Sequence, residues 1–171
     1  MAKWRIGLAV LALLCCADAS AQSNPLAPMQ FFQGCWRGAF ANSTTVTDVR
    51  CLAPMFGGAY VRDTHVIHGA PQPYGGEAIY AYDPQARRIA VTYYAIDGVE
   101  RGFADPAGPG LSFPQADFVG ADGSVTTLRA TWTPDGPDKF VATAEFLENG
   151  RWVEHLHITY TRAPDLSPPA Q

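Results

Sequence analysis

Four dipeptides punctuate the second half of this chain: Asp97-Gly98, Asp122-Gly123, Asp135-Gly136 and Asn149-Gly150. Each places a residue that tolerates positive φ beside a glycine, the combination that closes a tight β-hairpin. Asp83-Pro84 adds a fifth turn. The runs between them are short and rich in Val, Ile, Thr, Tyr, Phe and Trp. Helical periodicity never extends much beyond a dozen residues outside the extreme N-terminus, which excludes a helical domain. Regular spacing of this kind predicts an all-β protein, an antiparallel meander of about ten strands. Closure into a barrel is how such a sheet removes its edges.

The N-terminus has the pattern of a signal peptide. Lys3 and Arg5 precede an apolar run from Ile6 to Cys16, and Ala19-Ser20-Ala21 offers a small-x-small cleavage site. Cleavage is expected after Ala21, with export to the periplasm or the exterior. The apolar run is too short for a permanent transmembrane segment. The expected organisation is a signal at 1–21, one β-barrel domain over 22–163 and a disordered tail at 164–171. Taking Lys3, Arg5 and Asp18 away from 12 basic and 16 acidic residues leaves 10 and 15, a net charge of −5. No basic patch stands out, so nucleic acid and anionic membranes are poor partners.

Two cysteines remain after the signal, Cys35 and Cys51. If residues 41–45 form a hairpin loop, Ser43 is its midpoint and the two cysteines lie directly opposite. In an exported chain this predicts a disulfide across the first hairpin.

Hairpin arithmetic also assigns faces, because directly opposed residues of an antiparallel pair point the same way. A two-residue Asn149-Gly150 turn pairs Phe146 with Val153, Ala144 with His155 and Ala142 with His157. A loop over 134–138 pairs Trp132 with Phe140, Ala130 with Ala142 and Leu128 with Ala144. The other face carries Arg129, Glu145 and Glu154, so it belongs in water. His155 and His157 are therefore expected inside, and Trp152, Leu156, Ile158 and Tyr160 outside. Such a stripe on the last strand would need a cover, either the N-terminal turn or a second copy of the chain.

Asp83-Pro84 and Asp97-Gly98 likewise pair Tyr82 with Ile89, Tyr80 with Val91, Ala78 with Tyr93 and Tyr93 with Gly102. Glu77, Arg88, Arg101 and Asp105 then face out. The candidate ligand-binding lining is Tyr80, Tyr82, Tyr93, Trp132, His155 and His157. Small residues opposite aromatic ones leave room for a small apolar or aromatic molecule.

Gly34-Cys35-Trp36-Arg37-Gly38 follows a short apolar turn, Met29-Gln30-Phe31-Phe32. With the meander, this resembles the calycin superfamily, the lipocalins and their bacterial relatives, over about Met29 to Arg162. The resemblance implies that Trp36 plugs the closed end of the barrel and packs against Arg162 of the last strand. Trp36-Arg37-Gly38 and the terminal His155, Tyr160 and Arg162 are also similar to nitrobindins, which implies haem held by His155. Exported bacterial lipocalin-like domains without an assigned cofactor are at least as similar.

Other chemistries find less material. His155 and His157 could chelate zinc only with further ligands, for which His65 and Asp63 are candidates. His68 is on the opposite face from His65. None of Ser23, Ser43, Ser112, Ser124 and Ser167 lies in a nucleophile elbow, and no catalytic residue is assigned. The leading expectation is non-catalytic binding of a small molecule without a cofactor. The alternatives are a haem or metal protein centred on His155, a cofactor-free enzyme with His155 or His157 as general base, and a packed barrel acting through its outer surface.

Overall fold

A computed structural model describes residues 24–169. The signal-peptide reading and its cleavage site lie outside the described residues. A 3-10 turn over Ala27–Phe32 leads into ten strands. They are β1 (Gly34–Phe40), β2 (Thr47–Met55), β3 (Tyr60–His68), β4 (Tyr74–Asp83) and β5 (Arg88–Ala95). There follow β6 (Gly98–Ala107), β7 (Gly110–Gly120), β8 (Val125–Pro134), β9 (Lys139–Glu148) and β10 (Arg151–Arg162). Each strand pairs antiparallel with the next, and β1 closes the barrel against β10.

The turn chemistry explains most of the register. Asn149 (φ 50°) and Gly150 (φ 76°) form the two-residue turn that pairs Glu148 with Arg151. Tyr82, Tyr80 and Ala78 oppose Ile89, Val91 and Tyr93, as the turn at Asp83-Pro84 requires. Two expected registers are off by two residues, which preserves the faces. Tyr93 opposes Glu100 and Val91 opposes Gly102, because the turn is made by Ile96 and Asp97. Gly98 is already in β6, where a Cβ would lie only 2.4 Å from the Phe118 ring. Trp132 likewise opposes Ala142, and Pro134 opposes Phe140.

One register error reverses a face. Glu154 pairs with Glu145, but the next pair is Leu156 with Ala144, so His155 occupies a β-bulge. From there on, Leu156, Ile158 and Tyr160 point inward and His157 points outward. Burial accounts for the slip: Ile158 and Tyr160 are 6% and 1% exposed. Each large apolar side chain moved out of water contributes about 1.5–3 kcal/mol, against one irregular step in the ladder. Of the expected outer stripe, Ile158 and Tyr160 are buried and Leu156 lines the cavity. Trp152 alone stays outside, with the Arg129 guanidinium 4.5 Å over its ring.

One end of the barrel is plugged. Met29, Phe32, Trp36 and Phe140 are fully buried there. The Trp36 indole N–H donates to the Phe32 carbonyl at 2.7 Å. Arg162 lies 4.0 Å over the Trp36 ring and donates to the carbonyls of Phe31 and Gln33. Trp36 and Arg162 thus close the floor together, as the sequence resemblance implies. Outside, Arg62–Glu77, Arg88–Asp105 and Arg129–Glu145 form cross-strand ion pairs.

Cys35 and Cys51 are directly opposed and disulfide-bonded. With a sequence separation of 16, the chain-entropy model gives about 3 kcal/mol of stabilisation. Replacing both cysteines by serine should lower unfolding free energy by about that amount in a urea titration while keeping the β-sheet circular dichroism. Two thiols alkylated without prior reduction would contradict the bridge.

Candidate functional site

The parity that plugs one end leaves the other half hollow. A cavity of about 550 Å³ rises from a floor of Tyr80, Trp132 and Tyr160 towards Tyr74, Asp97, Phe118, Phe146 and Leu156. This rim lies at the end where the β1–β2, β5–β6 and β9–β10 turns gather. The two sides differ in chemistry. From β7 to β10 the lining is mostly apolar: Phe113, Phe118, Leu128, Ala130, Ala142, Ala144, Phe146, Leu156 and Ile158. From β2 to β6 it carries Asp48, Arg50, Asp63, His65, Tyr74, Tyr80, Tyr93 and Glu100.

Asp48 is the hub of the polar wall. Tyr160 donates its hydroxyl to Asp48 Oδ2 at 2.5 Å, and His65 Nδ1 lies 3.2 Å from Asp48 Oδ1. On its other side, His65 Nε2 is 2.8 Å from the Tyr93 hydroxyl. Burial acts to raise the Asp48 carboxyl, but the hydrogen bond from His65, the Arg50 charge and Tyr160 outweigh it and hold it below its ordinary value. Gly38, across β1, makes room: a Cβ there would sit 2.7 Å from the Tyr160 ring. Gly76 does the same for Tyr93, whose ring would be 2.5 Å from an added Cβ.

Arg50 lies between two carboxylates, its Nε 3.7 Å from both Asp48 and Asp63. Its guanidinium is 5.0 Å from the centre of the Trp132 ring and 5.5 Å from that of Tyr160. Burial opposes its charge, yet Asp63, Tyr160 and Asp48 keep it firmly cationic. For Asp63 burial wins, and its carboxyl is raised despite Arg50. Among the described residues, Arg50 Nε and Asp63 Oδ1 are buried without a hydrogen-bond partner. Burial also raises the hydroxyls of Tyr80, Tyr93 and Tyr160 well above the ordinary phenol value, so they remain protonated. Glu100, set between Tyr93 and Phe118 in the ladders, is raised by burial alone.

Of the side chains picked out from sequence, Tyr80, Tyr93 and Trp132 share this cavity. Tyr82 has the same parity but sits at the plugged end, 38% exposed and away from the cavity. Contrary to the expectation, neither His155 nor His157 lines the cavity: both are solvent-exposed, His155 on the rim residue Phe146 and His157 on the outer face. His155 stacks on Phe146 at 4.4 Å and bonds Glu148 at 2.6 Å; His157 faces Glu154. The β10 bulge is the reason.

The Nε2 of His155 is engaged by Glu148, and the residue does not line the cavity. The inward His65 has both ring nitrogens engaged by Asp48 and Tyr93, so these residues do not fit a haem ligand set. His157 faces Glu154 on the outer face and His155 bonds Glu148 at the rim, while His65 and Asp63 are inside, so the zinc set is not assembled. Among the described residues no group of three or more His, Cys, Asp or Glu side chains is placed to hold a metal ion.

Asp48, Arg50, Tyr74, Glu100 and Tyr160 were not singled out as site residues from sequence, although the signal for two of them was present. The pairing that opposes Cys35 to Cys51 also opposes Trp36 to Arg50 and Gly38 to Asp48. With Trp36 inside, Arg50 and Asp48 must be inside as well. No protein-family model matches the chain, and no curated protein matches it.

A carboxylate held below its ordinary pKa of 3.8 stabilises the fold above that pH, and the contribution is lost as pH falls through the lowered value. Asp48→Asn should therefore cost about 3 kcal/mol in urea unfolding at pH 6, since it leaves its buried partners uncompensated. The gap between variant and parent should narrow at pH 3. A pH-independent gap would show that the Asp48 charge is not what matters.

Proposed function

We propose that this protein is an exported, calycin-like barrel that binds a small, largely apolar or aromatic molecule in the cavity above Trp132. The cavity itself carries the reading. A space of about 550 Å³ is far more than a packed core leaves empty, and it lies within the range of ligand pockets. Tyr80, Tyr93 and Trp132 supply aromatic surface, and Ala130, Ala142 and Ala144 keep the facing wall thin. Export is supported by the signal-like N-terminal sequence and by a disulfide, which persists in oxidising compartments. The plug of Trp36 and Arg162 supports the calycin-like reading.

A second reading, a cofactor-free enzyme, is favoured by one observation. His65 is oriented by Asp48 and touches Tyr93 inside the cavity, the arrangement of an oriented acid–base group. His155 and His157, the bases expected from sequence, are exposed, pair with Glu148 and Glu154, and do not line the cavity. Turnover lost in His65→Asn with binding retained would decide for the enzyme.

Neutral N-phenyl-1-naphthylamine tests the binding reading, since its fluorescence rises in an apolar site. Uptake at one molecule per chain is expected for the parent. Ala144→Trp, which fills the apolar wall, should weaken it at least tenfold, and His155→Ala should leave it unchanged. Equal uptake by parent and Ala144→Trp would place the probe elsewhere and contradict the reading.

A further inference from the structure

The head group that this cavity accepts follows from how its charges are already matched. Arg50 has five N–H donors, yet among the described residues its side chain makes no hydrogen bond. The Nε is sealed from solvent, while the side chain as a whole keeps 13% exposure and lines the cavity, so its outer amino groups look into the space above Trp132. Orphaned donors on a buried guanidinium are costly, and an acceptor delivered by a ligand would relieve that cost.

The charge on that acceptor is constrained. Asp48 and Asp63 already flank Arg50 at 3.7 Å each. Nearer the rim, Glu100 and Asp97 add negative charge, and neither forms an ion pair among the described residues. A ligand carboxylate would bring another negative charge into a poorly solvated acidic wall, where like charges repel strongly. A ligand ammonium could approach Glu100 but would leave the Arg50 donors unanswered and meet a like charge below. A neutral acceptor meets neither penalty.

Resting on the small-molecule reading above, we infer that the cavity selects neutral, planar aromatic molecules bearing a carbonyl group. The carbonyl oxygen accepts from Arg50, and the ring lies between the Tyr93 side and the wall of Leu128 and Ala142. The guanidinium fork is planar and pre-organised, so it directs a carbonyl lone pair with little loss of freedom. Glu100 and Asp97 act as a gate against anions.

A matched naphthalene series tests this by calorimetric titration of the disulfide-bonded protein at neutral pH: 2-acetylnaphthalene, 2-ethylnaphthalene, 2-naphthoate and 2-naphthylmethylammonium. The ketone should bind at least tenfold more tightly than each of the others. Arg50→Met should erase the advantage of the ketone over the ethyl compound. Should that variant fail to fold, Glu100→Gln serves: it should strengthen naphthoate several-fold relative to the ketone. Tightest binding by naphthoate would make Arg50 an anion site, and tightest binding by the ammonium compound would give control to Glu100; either overturns the inference. Equal binding of ketone and ethyl compound also overturns it while sparing the small-molecule reading. Failure of all four to bind would instead remove that reading, and the inference with it.

Discussion

The carboxylate of Asp48 holds together everything that distinguishes this barrel from a packed one. It is 1% exposed and receives Tyr160 from β10, His65 from β3 and the field of Arg50 from its own strand. A buried ion survives only when its lone pairs and its charge are answered. Here the answers come from both sides of the strand, so the network also fixes where Tyr160, His65 and, through His65, Tyr93 must stand. The polar wall is thus one connected unit. Hydrogen-bonded chains in a low-dielectric interior strengthen one another and tolerate little displacement. Its small neighbours, Gly38 and Gly76, follow from the same requirement, because any side chain at either position would collide with a member of the network.

The opposite wall follows a different rule. From β7 to β10 the inward positions combine aromatic and aliphatic side chains with the alanines Ala130, Ala142 and Ala144, which contribute apolar surface without filling the lumen. The bulge at His155 serves this wall. Without it, Leu156 and Ile158 would face water and two imidazoles would enter the barrel. Apolar burial settles the register, and the histidines are left to exposed carboxylates, Glu148 and Glu154, where such pairs contribute little. A cavity with one wired polar side and one smooth apolar side is the physical basis for reading it as a binding site.

How far these features can be read from sequence depends on the length over which a rule acts. Turn signals act over a few residues and correctly give the antiparallel strands, the disulfide, and the facing of Tyr80 and Tyr93. Registers shifted by two at Asp97-Gly98 and Asp135-Gly136 did no harm, because side chains alternate with a period of two. A shift of one at His155 reversed the most consequential assignment. The clue was a conflict within the strand itself: leaving Leu156, Ile158 and Tyr160 in water violates burial more severely than a bulge violates regular pairing. Arg50 and Asp48 were legible through the disulfide register but were overshadowed by the histidines. The partners of Asp48 were not legible, since Tyr160 is distant in sequence and meets it only once the barrel has closed.

The account stands on a molecule entering between two unlike walls inside the barrel. A crystal structure of the protein with N-phenyl-1-naphthylamine measures this most directly. The account predicts the naphthyl ring above Trp132, in contact with Leu128 and Ala142 on one side and Tyr93 on the other, with Asp48, His65 and Tyr160 keeping their hydrogen bonds. A probe found only on the outer surface, for instance in the hollow of about 530 Å³ lined by Trp152 and Arg129, would contradict it.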